Sequence, residues 1–183
     1  MTFLPKDTTI PSGSNGYVKF EEGETRLRIL SAARVGWEGW KDNKPFRREG
    51  NEKNIDDDEV DIDERFTKKP KVRPFWGMIV YDYGDAQVKF LTLTQKKIMK
   101  TLMDLAESKD WGDPMGYDLV ITKEDTKPVS YTVKPIPPKK ISAEVRDAFD
   151  ASELDLDNLF ESDNDSKDTR DFNSVGKKKS KGF

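Results

Sequence analysis

Charge is distributed so unevenly along this chain of 183 residues that only part of it is suited to form a compact core. Residues 147–171 carry ten acidic and two basic side chains, a net charge of −8, and residues 54–64 carry seven acidic side chains and no basic one. Segments with so much like charge bury too little apolar surface to fold alone. The rest of residues 1–146 has a net charge of +8. We therefore expect one folded domain within residues 17–138, with a basic surface that favours a polyanionic partner.

The chain contains no cysteine and no histidine. This composition excludes disulfides, thiolate or imidazole metal ligands, and catalysis by a cysteine or histidine side chain. No catalytic motif is present, so we expect a protein that is not an enzyme and that uses no cofactor or metal. The first residues lack the pattern of a signal peptide, and no run of 18 apolar residues occurs, which predicts a soluble intracellular protein without a membrane span.

Alternating apolar and polar residues predict a mainly β domain. The predicted strands lie at residues 17–20, 26–30, 34–41, 75–83, 87–92, 117–122 and 129–134. One helix is predicted at about residues 94–108, with Thr94 as its N-cap. Five or six short, curved strands with a single helix before the last pair are compatible with a small Greek-key barrel of the oligonucleotide-binding (OB) type. Residues 1–16 would then form an arm, 42–74 a charged insertion and 139–183 a tail.

Basic and aromatic residues are interleaved along this domain, as in proteins that hold single-stranded nucleic acid. The candidate phosphate-binding residues are Arg26, Arg28, Arg34, Lys41, Lys44, Arg47, Arg48, Lys68, Lys69, Lys71 and Arg73. The candidate base-stacking residues are Trp37, Trp40, Phe75, Trp76, Tyr81 and Tyr83. Each ring is alternatively a core residue, and each cation is alternatively a solvated surface charge.

Two charged segments have plainer interpretations. Arg26 and Arg28 alternate with Leu27 and Ile29, which predicts that both arginines lie on a solvated face of a strand. The acidic run at residues 54–64 lacks the glycine and the fixed spacing of a calcium-binding loop. We expect it to be a flexible, solvated loop.

Residues 139–183 are predicted to form a disordered acidic tail. Apolar residues are spaced through it, which plain acidic disorder does not require. The candidate partner-binding residues are Asp155, Leu156, Asp157, Leu159 and Phe160. This segment could fold into a partner's groove, and its charge could also occupy the nucleic-acid groove of its own domain.

Several unusual aromatic and turn motifs occur together and in order along the domain. They are YVKFEEGETRLRILS at 17–31, GWEGW at 36–40, FWGMIVYDY at 75–83, FLTLTQKKIMKTLMDL at 90–105, DWGDPMGYDLVIT at 110–122 and YTVKP at 131–135. In these motifs the chain resembles the single-stranded DNA-binding proteins of tailed bacteriophages. It is more distantly similar to the helix-destabilising protein of T4-like phages, without the cysteines and histidine that would bind zinc in that protein.

The resemblance implies an OB-fold that coats and protects single-stranded DNA in phage replication, recombination and repair, in the host cytoplasm. It implies that the acidic tail recruits phage replication or recombination proteins, and it leaves self-association on DNA open. Two other hypotheses stand beside it. One is a protein-interaction module or nucleic-acid mimic that binds a host or phage DNA-processing protein. The other is a metal-dependent nuclease built from scattered carboxylates.

Overall fold

A computed structural model describes residues 16–160, which form one sheet of seven antiparallel strands and two helices. The strands are β1 Gly23–Ile29, β2 Arg34–Lys41, β3 Lys44–Glu49, β4 Val72–Asp82, β5 Gln87–Leu93, β6 Asp118–Glu124 and β7 Ser130–Pro135. The helices are α1 Lys96–Glu107 and α2 Ala143–Ala151. The strand order is β3-β2-β4-β1-β6-β7, and β5 pairs with β4. Within the described residues the sheet does not close on itself.

The prediction of a mainly β domain is confirmed, but the count of five or six strands and one helix is wrong. The additional strand is β3, which lies inside the predicted charged insertion and pairs with β2 along its full length. The additional helix is α2, which lies in the predicted tail. Residues 17–20 do not form a strand of their own and contribute a single bridge, between Tyr17 and Phe90.

Strand β4 runs through the middle of the sheet and is buried on both faces. Met78 and Val80 belong to an apolar cluster on one face. Phe75, Ile79 and Tyr81 belong to a second cluster on the other face, because alternate side chains of a strand point to opposite sides. The sheet therefore needs an apolar cover on each side of β4.

Helix α1 covers the first face. Its buried residues Ile98, Met99, Leu102 and Leu105 recur at intervals of three or four, so they form one apolar stripe toward the sheet. The helix begins at Lys96, close to the predicted start, but its N-cap is Gln95 and not the predicted Thr94. The predicted helix is thus confirmed, and its position follows from local periodicity.

Residues 139–160 cover the second face. The Ser142 hydroxyl caps α2 by accepting a hydrogen bond from the backbone N–H of Val145 at 3.3 Å. Val145 is only 2% exposed, and so is Leu159 in the 3₁₀ turn Leu156–Leu159. The Phe160 ring packs edge-on against Phe75, with 5.6 Å between ring centroids. The predicted start of the tail at residue 139 is corrected, because residues 139–160 belong to the folded domain. Residues 161–183 lie outside the described residues.

The acidic run at residues 54–64 is also anchored to the domain. Its two apolar residues, Ile55 and Val60, are 1% and 5% exposed. Between them, Asp57–Glu59 form a 3₁₀ turn. The carboxylate of Glu59 accepts two hydrogen bonds from Arg48, at 2.7 and 2.8 Å. The prediction of a flexible, solvated loop is wrong, because buried aliphatic side chains and this ion pair fix the run against β3.

A buried carboxylate links β1 to β6. Asp118 is fully buried and accepts hydrogen bonds from Arg26 at 2.6 Å, from Arg28 at 3.3 Å and from the Tyr83 hydroxyl at 3.0 Å. Arg28 is 3% exposed and also donates to two backbone carbonyl oxygens. The predicted solvated face is therefore wrong for Arg28. Its charge neutralises a carboxylate inside the domain.

Replacing Asp118 with asparagine should lower the free energy of unfolding at pH 7 by about 3 kcal/mol, because it leaves the buried guanidinium group of Arg28 without its counter-charge. Burial alone would raise the pKa of Asp118, but hydrogen bonds from Arg26, Tyr83 and Arg28 outweigh it and lower the pKa. A carboxylate with a lowered pKa stabilises the fold above its unfolded pKa of about 3.9, and this contribution is lost as the pH falls through the folded pKa. Urea unfolding at pH 7 and pH 3 measures both effects. The difference between Asp118→Asn and wild type should shrink at pH 3, and an unchanged difference would contradict this role.

Candidate nucleic-acid interface

A single buried carboxylate organises one face of strands β3, β2 and β4. Glu38 on β2 lies opposite Arg47 on β3 and Arg73 on β4 in the strand register. Glu38 is 3% exposed and accepts hydrogen bonds from Arg47 Nε at 3.0 Å and from Arg73 Nη2 at 2.9 Å. It also accepts one from Trp40 Nε1 at 3.3 Å. Two guanidinium groups thus share one negative charge, and the indole of Trp40 is oriented by the same carboxylate.

Trp40 and Arg73 lie on the wall of a cleft with a volume of about 810 Å³. Asn43, in the turn between β2 and β3, and residues 62–67 also line it. The cleft is open to solvent and large enough for a ligand of several rings. Apart from Trp40, all of its lining residues lie in the predicted charged insertion at residues 42–74.

Residues 61–71 form a short hairpin beside this cleft, which we call the basic hairpin. Ile62 and Pro70 make an antiparallel bridge, and backbone hydrogen bonds join residue 63 to residue 69 and residue 71 to residue 61. The hairpin is bonded to β2, because the backbone N–H of Trp40 donates a hydrogen bond to the carbonyl oxygen of Lys71 at 3.1 Å. The carboxylate of Asp61 accepts from the backbone N–H of Asn43 at 3.3 Å. The basic hairpin and the β2–β3 turn are therefore held together at the mouth of the cleft.

Ion pairs divide the predicted phosphate-binding residues into two groups. All six arginines are paired inside the domain: Arg26 and Arg28 with Asp118, Arg34 with Glu49 and Asp157, Arg47 and Arg73 with Glu38, and Arg48 with Glu59. The pairing has a clear electrostatic effect on one carboxylate. Hydrogen bonds from Arg48 and from the backbone of Asp56 lower the pKa of Glu59 to about 2.

The five predicted lysines behave differently. They make no salt bridge with any residue between 16 and 160, and all of them flank the cleft along the chain: Lys41, Lys44, Lys68, Lys69 and Lys71. Arg65 in the basic hairpin is likewise unpaired there. These six side chains have no ion-pair partner within 4.0 Å among the described residues, and the carboxylates of Asp63 and Glu64 line the same cleft.

No protein-family model matches this chain, and no curated protein matches it significantly. No helix among residues 16–160 is long and apolar enough to cross a membrane. In the same part of the chain, no three acidic side chains come together in an arrangement that could hold a metal ion.

Of the predicted base-stacking residues, Trp40 is the one that lines the cleft of the basic hairpin. Phe75 and Tyr81 are 0% and 3% exposed. Their prediction as stacking residues is corrected, because residues 139–160 cover their face of the sheet and make them core residues. Trp37, Trp76 and Tyr83 are half-buried and lie away from this cleft.

Two residues of the interface were not predicted. Arg65 lies at the cleft, and Phe66 beside it is 86% exposed. An Asp-x-x-Phe-Thr-Lys-Lys sequence at residues 63–69 is the local signal, because an aspartate that caps the next backbone N–H groups marks an ordered turn. The segment lacks apolar periodicity, which is why it was assigned to an unstructured insertion.

The predicted partner-binding residues contact the chain's own sheet. Asp157 forms an ion pair with Arg34, and the carbonyl oxygen of Leu159 accepts a hydrogen bond from Arg47 at 3.4 Å. Leu156 packs against the second apolar cluster, and Asp155 accepts a hydrogen bond from the backbone N–H of Asp157. Binding of this segment to another protein stays a prediction. In this structure its apolar positions are already occupied.

Proposed function

We propose that the protein binds single-stranded DNA with little sequence preference, as a phage-encoded protein that coats DNA in the host cytoplasm during replication, recombination and repair. The observation that carries the proposal is a cleft lined by Trp40, Arg73 and two unpaired cations, Arg65 and Lys71. Four further unpaired lysines, Lys41, Lys44, Lys68 and Lys69, are next to lining residues in the sequence. A positive groove beside an accessible ring is the combination that single-stranded nucleic acids require. The motifs in which the chain resembles phage single-stranded DNA-binding proteins favour the same ligand.

The lysines supply the electrostatic part of the proposed binding. An ammonium group contacts a phosphate as a point charge, and phosphate contacts carry no sequence information. Neutralising phosphates releases condensed counterions, so affinity for a single strand falls with salt at about −0.7 in log–log slope for each phosphate contacted. Binding should therefore be tolerant of sequence and strongly dependent on salt.

In this proposal, Trp40 supplies the aromatic ring on which a base stacks. Its indole N–H is fixed by Glu38, so one edge of the ring is held while the ring lies at the cleft. A base can stack on such a ring only when it is not paired in a duplex. This requirement favours single strands over double strands.

We also propose that the sheet is a variant of the OB-type barrel. Residues 17–20 support this, because they connect the two sides of the open sheet. The Val18 N–H donates to the carbonyl oxygen of Phe90 on β5 at 2.9 Å, and the Phe20 ring lies 5.9 Å from the Tyr131 ring on β7. The chain segment before β1 thus spans from β5 toward β7 at the place where a barrel would close.

Titration of the tryptophan fluorescence with poly(dT) and with a matched duplex tests the proposal, since the chain has four tryptophans. We expect quenching by poly(dT) alone, with a log affinity that falls linearly with log salt concentration. Saturable binding of the duplex at equal affinity would reject the single-strand preference. Absence of binding to either polymer at low salt would reject the proposed function.

The remaining tail is proposed to recruit replication proteins and to compete with DNA for the groove. Residue 161 follows a segment that is bonded to Arg47, which shares Glu38 with Arg73 at the cleft. Because the acidic residues after 160 are joined to this segment by the chain itself, their effective concentration at the cleft would be high. Among residues 161–171, five side chains are acidic and two are basic.

Replacing those five acidic residues with their amides should tighten binding to single-stranded DNA several-fold at low salt, because a competing polyanion is removed. The gain should disappear as salt screens both interactions. Replacing the four lysines at 177–181 with glutamine is the matched control for a change of charge in the tail. Equal affinity of the amide variant and wild type at low salt would exclude competition by the tail.

A further inference from the structure

The most exposed large apolar side chain among the described residues is Phe66, at 86% exposure. A solvent-exposed phenyl ring gains nothing from burial in the folded domain, and removing it from water would be favourable. Its position at the tip of the basic hairpin therefore leaves the ring accessible to a ligand outside the domain.

The tip is ordered by one carboxylate. The side chain of Asp63 accepts hydrogen bonds from the backbone N–H groups of Arg65, Phe66 and Thr67 at 3.2–3.3 Å. It also accepts one from the hydroxyl of Thr67 at 3.2 Å. Burial alone would raise the pKa of Asp63, but these hydrogen bonds outweigh it and lower the pKa. The turn holds the backbone of Phe66 in place before any ligand arrives, which lowers the entropic cost of binding.

The surroundings of the ring identify the chemistry of that ligand. Arg65 precedes it, Lys68 and Lys69 follow it, and none of the three forms a salt bridge with residues 16–160. Charged residues, lysine among them, are depleted in the cores of protein–protein interfaces. The surroundings of Phe66 therefore differ from such a core. A ring framed by unpaired cations suits a ligand that alternates flat apolar groups with negative charges, which describes a single-stranded nucleic acid.

The same cleft joins Phe66 to the residues described above. Phe66, Trp40 and Arg73 all line it. We infer that Phe66 is a base-stacking residue, and that the basic hairpin and Trp40 together form a cleft that holds a nucleobase of single-stranded DNA while the lysines bind its flanking phosphates. This inference rests on the proposed function and adds to it a base-stacking residue and a defined cleft.

Three substitutions at one position test it. Phe66→Ala removes the ring, Phe66→Leu keeps apolar bulk without a π face, and Phe66→Trp keeps the face and adds a fluorophore. Because stacking on one aromatic ring contributes about 1–3 kcal/mol per base, we expect Phe66→Ala to weaken poly(dT) binding about 5-fold to about 150-fold. Phe66→Leu should resemble Phe66→Ala. Phe66→Trp should bind like wild type and show additional quenching by poly(dT).

The salt dependence separates stacking from charge. Phe66→Ala should leave the log–log salt slope unchanged, because no phosphate contact is lost. Met103→Ala is the matched control, since Met103 is also exposed, at 51%, but lies on α1 and does not line the cleft. It should bind poly(dT) like wild type. Urea unfolding of each variant checks that the fold is intact.

The outcomes distinguish this inference from the proposed function. Wild-type affinity in Phe66→Ala, or full rescue by Phe66→Leu, overturns the stacking role while single-stranded DNA binding stands. If wild type itself fails to bind poly(dT), both the proposed function and the role of Phe66 are rejected. Weaker binding in Phe66→Ala and Phe66→Leu with an unchanged salt slope supports the inference.

Discussion

A chain that ends at Lys140, before helix α2, should be less stable than the full-length protein by about 5 kcal/mol or more. Without the following residues, the second apolar cluster on β4 opens to water. Val145 and Leu159 are each only 2% exposed in that cover, and removing a single buried leucine side chain already costs about 2–5 kcal/mol. Since whole domains are stable by about 5–15 kcal/mol, we expect this chain to be largely unfolded or aggregated. Urea unfolding followed by tryptophan fluorescence makes the comparison.

A chain that ends at Phe160 is the matched control. It keeps the cover and should lie within about 0.5 kcal/mol of the full-length protein. Equal stability of the chains that end at 140 and 160 would show that the cover does not stabilise the sheet. The comparison also determines where a tail can be cut for binding studies, because a cut before α2 changes stability and charge together.

A pair of point substitutions tests the same contact with the chain intact. A methyl group added at Gly77 would lie 2.5 Å from Cδ1 of Leu159, too close for the two to coexist unmoved. Gly77→Ala should therefore destabilise the wild-type protein and should be less harmful in a Leu159→Ala background, where that atom is gone. Additive effects in the double variant would contradict direct packing of Leu159 on Gly77.

Replacing Lys68, Lys69 and Lys71 together with glutamine should weaken single-stranded DNA binding about 100-fold at 0.1 M salt. Each lost phosphate contact removes about 0.7 from the log–log salt slope, which corresponds to about 5-fold in affinity at that concentration. The salt slope should accordingly become shallower by about 2. None of these lysines forms a salt bridge with a described residue, so the free energy of unfolding should change little. Fluorescence titration at several salt concentrations gives the affinity and the slope.

The matched control replaces three exposed lysines that do not line the cleft, Lys109, Lys127 and Lys134, with glutamine. It alters the net charge equally, so a general charge effect would appear in both variants. We expect the control to retain most of its affinity and its slope. If both triple variants lose affinity equally, binding depends on net charge and not on the basic hairpin.

The elements predicted correctly from sequence are those whose residues carry their own periodicity. Strand β1 and helix α1 are examples, since Leu27 and Ile29 alternate in β1 and the apolar residues of α1 repeat every three to four positions. Strand β3 has no such pattern, and it forms because Asp42 and Asn43 adopt positive φ angles, 52° and 61°, in a tight turn that returns the chain onto β2. A two-residue turn of this kind is a recognised hairpin signal, and it was present in the sequence.

Residues 139–160 illustrate a limit of local patterns. Spaced apolar residues in an acidic context predicted a segment that binds a partner's groove, and the groove turns out to lie on the same chain. Gly36 and Gly77 make room for it, because a methyl group at either would meet Phe160 or Leu159. No local signal tells whether an amphipathic segment packs in its own domain or in another.

Neither the net charge of the folded part nor the identity of its unpaired cations was predictable from the sequence. Residues 16–160 include the acidic run and the segment with α2, and with 25 basic and 29 acidic side chains they carry a net charge of −4. Arg47 and Arg73 meet Glu38 only because three strands align in a particular register, and register depends on the whole sheet. From the sequence alone, the arginines and the lysines were equal candidates for phosphate binding. Ion pairing with carboxylates brought close by the fold separates the two sets.

The cover over β4 has a consequence for the order of folding. Gly77 and Leu159 touch in the finished domain but are synthesised far apart, so the second face of the sheet stays open until the segment with α2 has emerged. Contacts with such a large sequence separation form slowly, because the intervening chain must first be ordered. A nascent chain with β1 to β7 complete still displays Phe75, Tyr81 and Phe90 to other molecules in the cell, and it is most prone to aggregation at that stage.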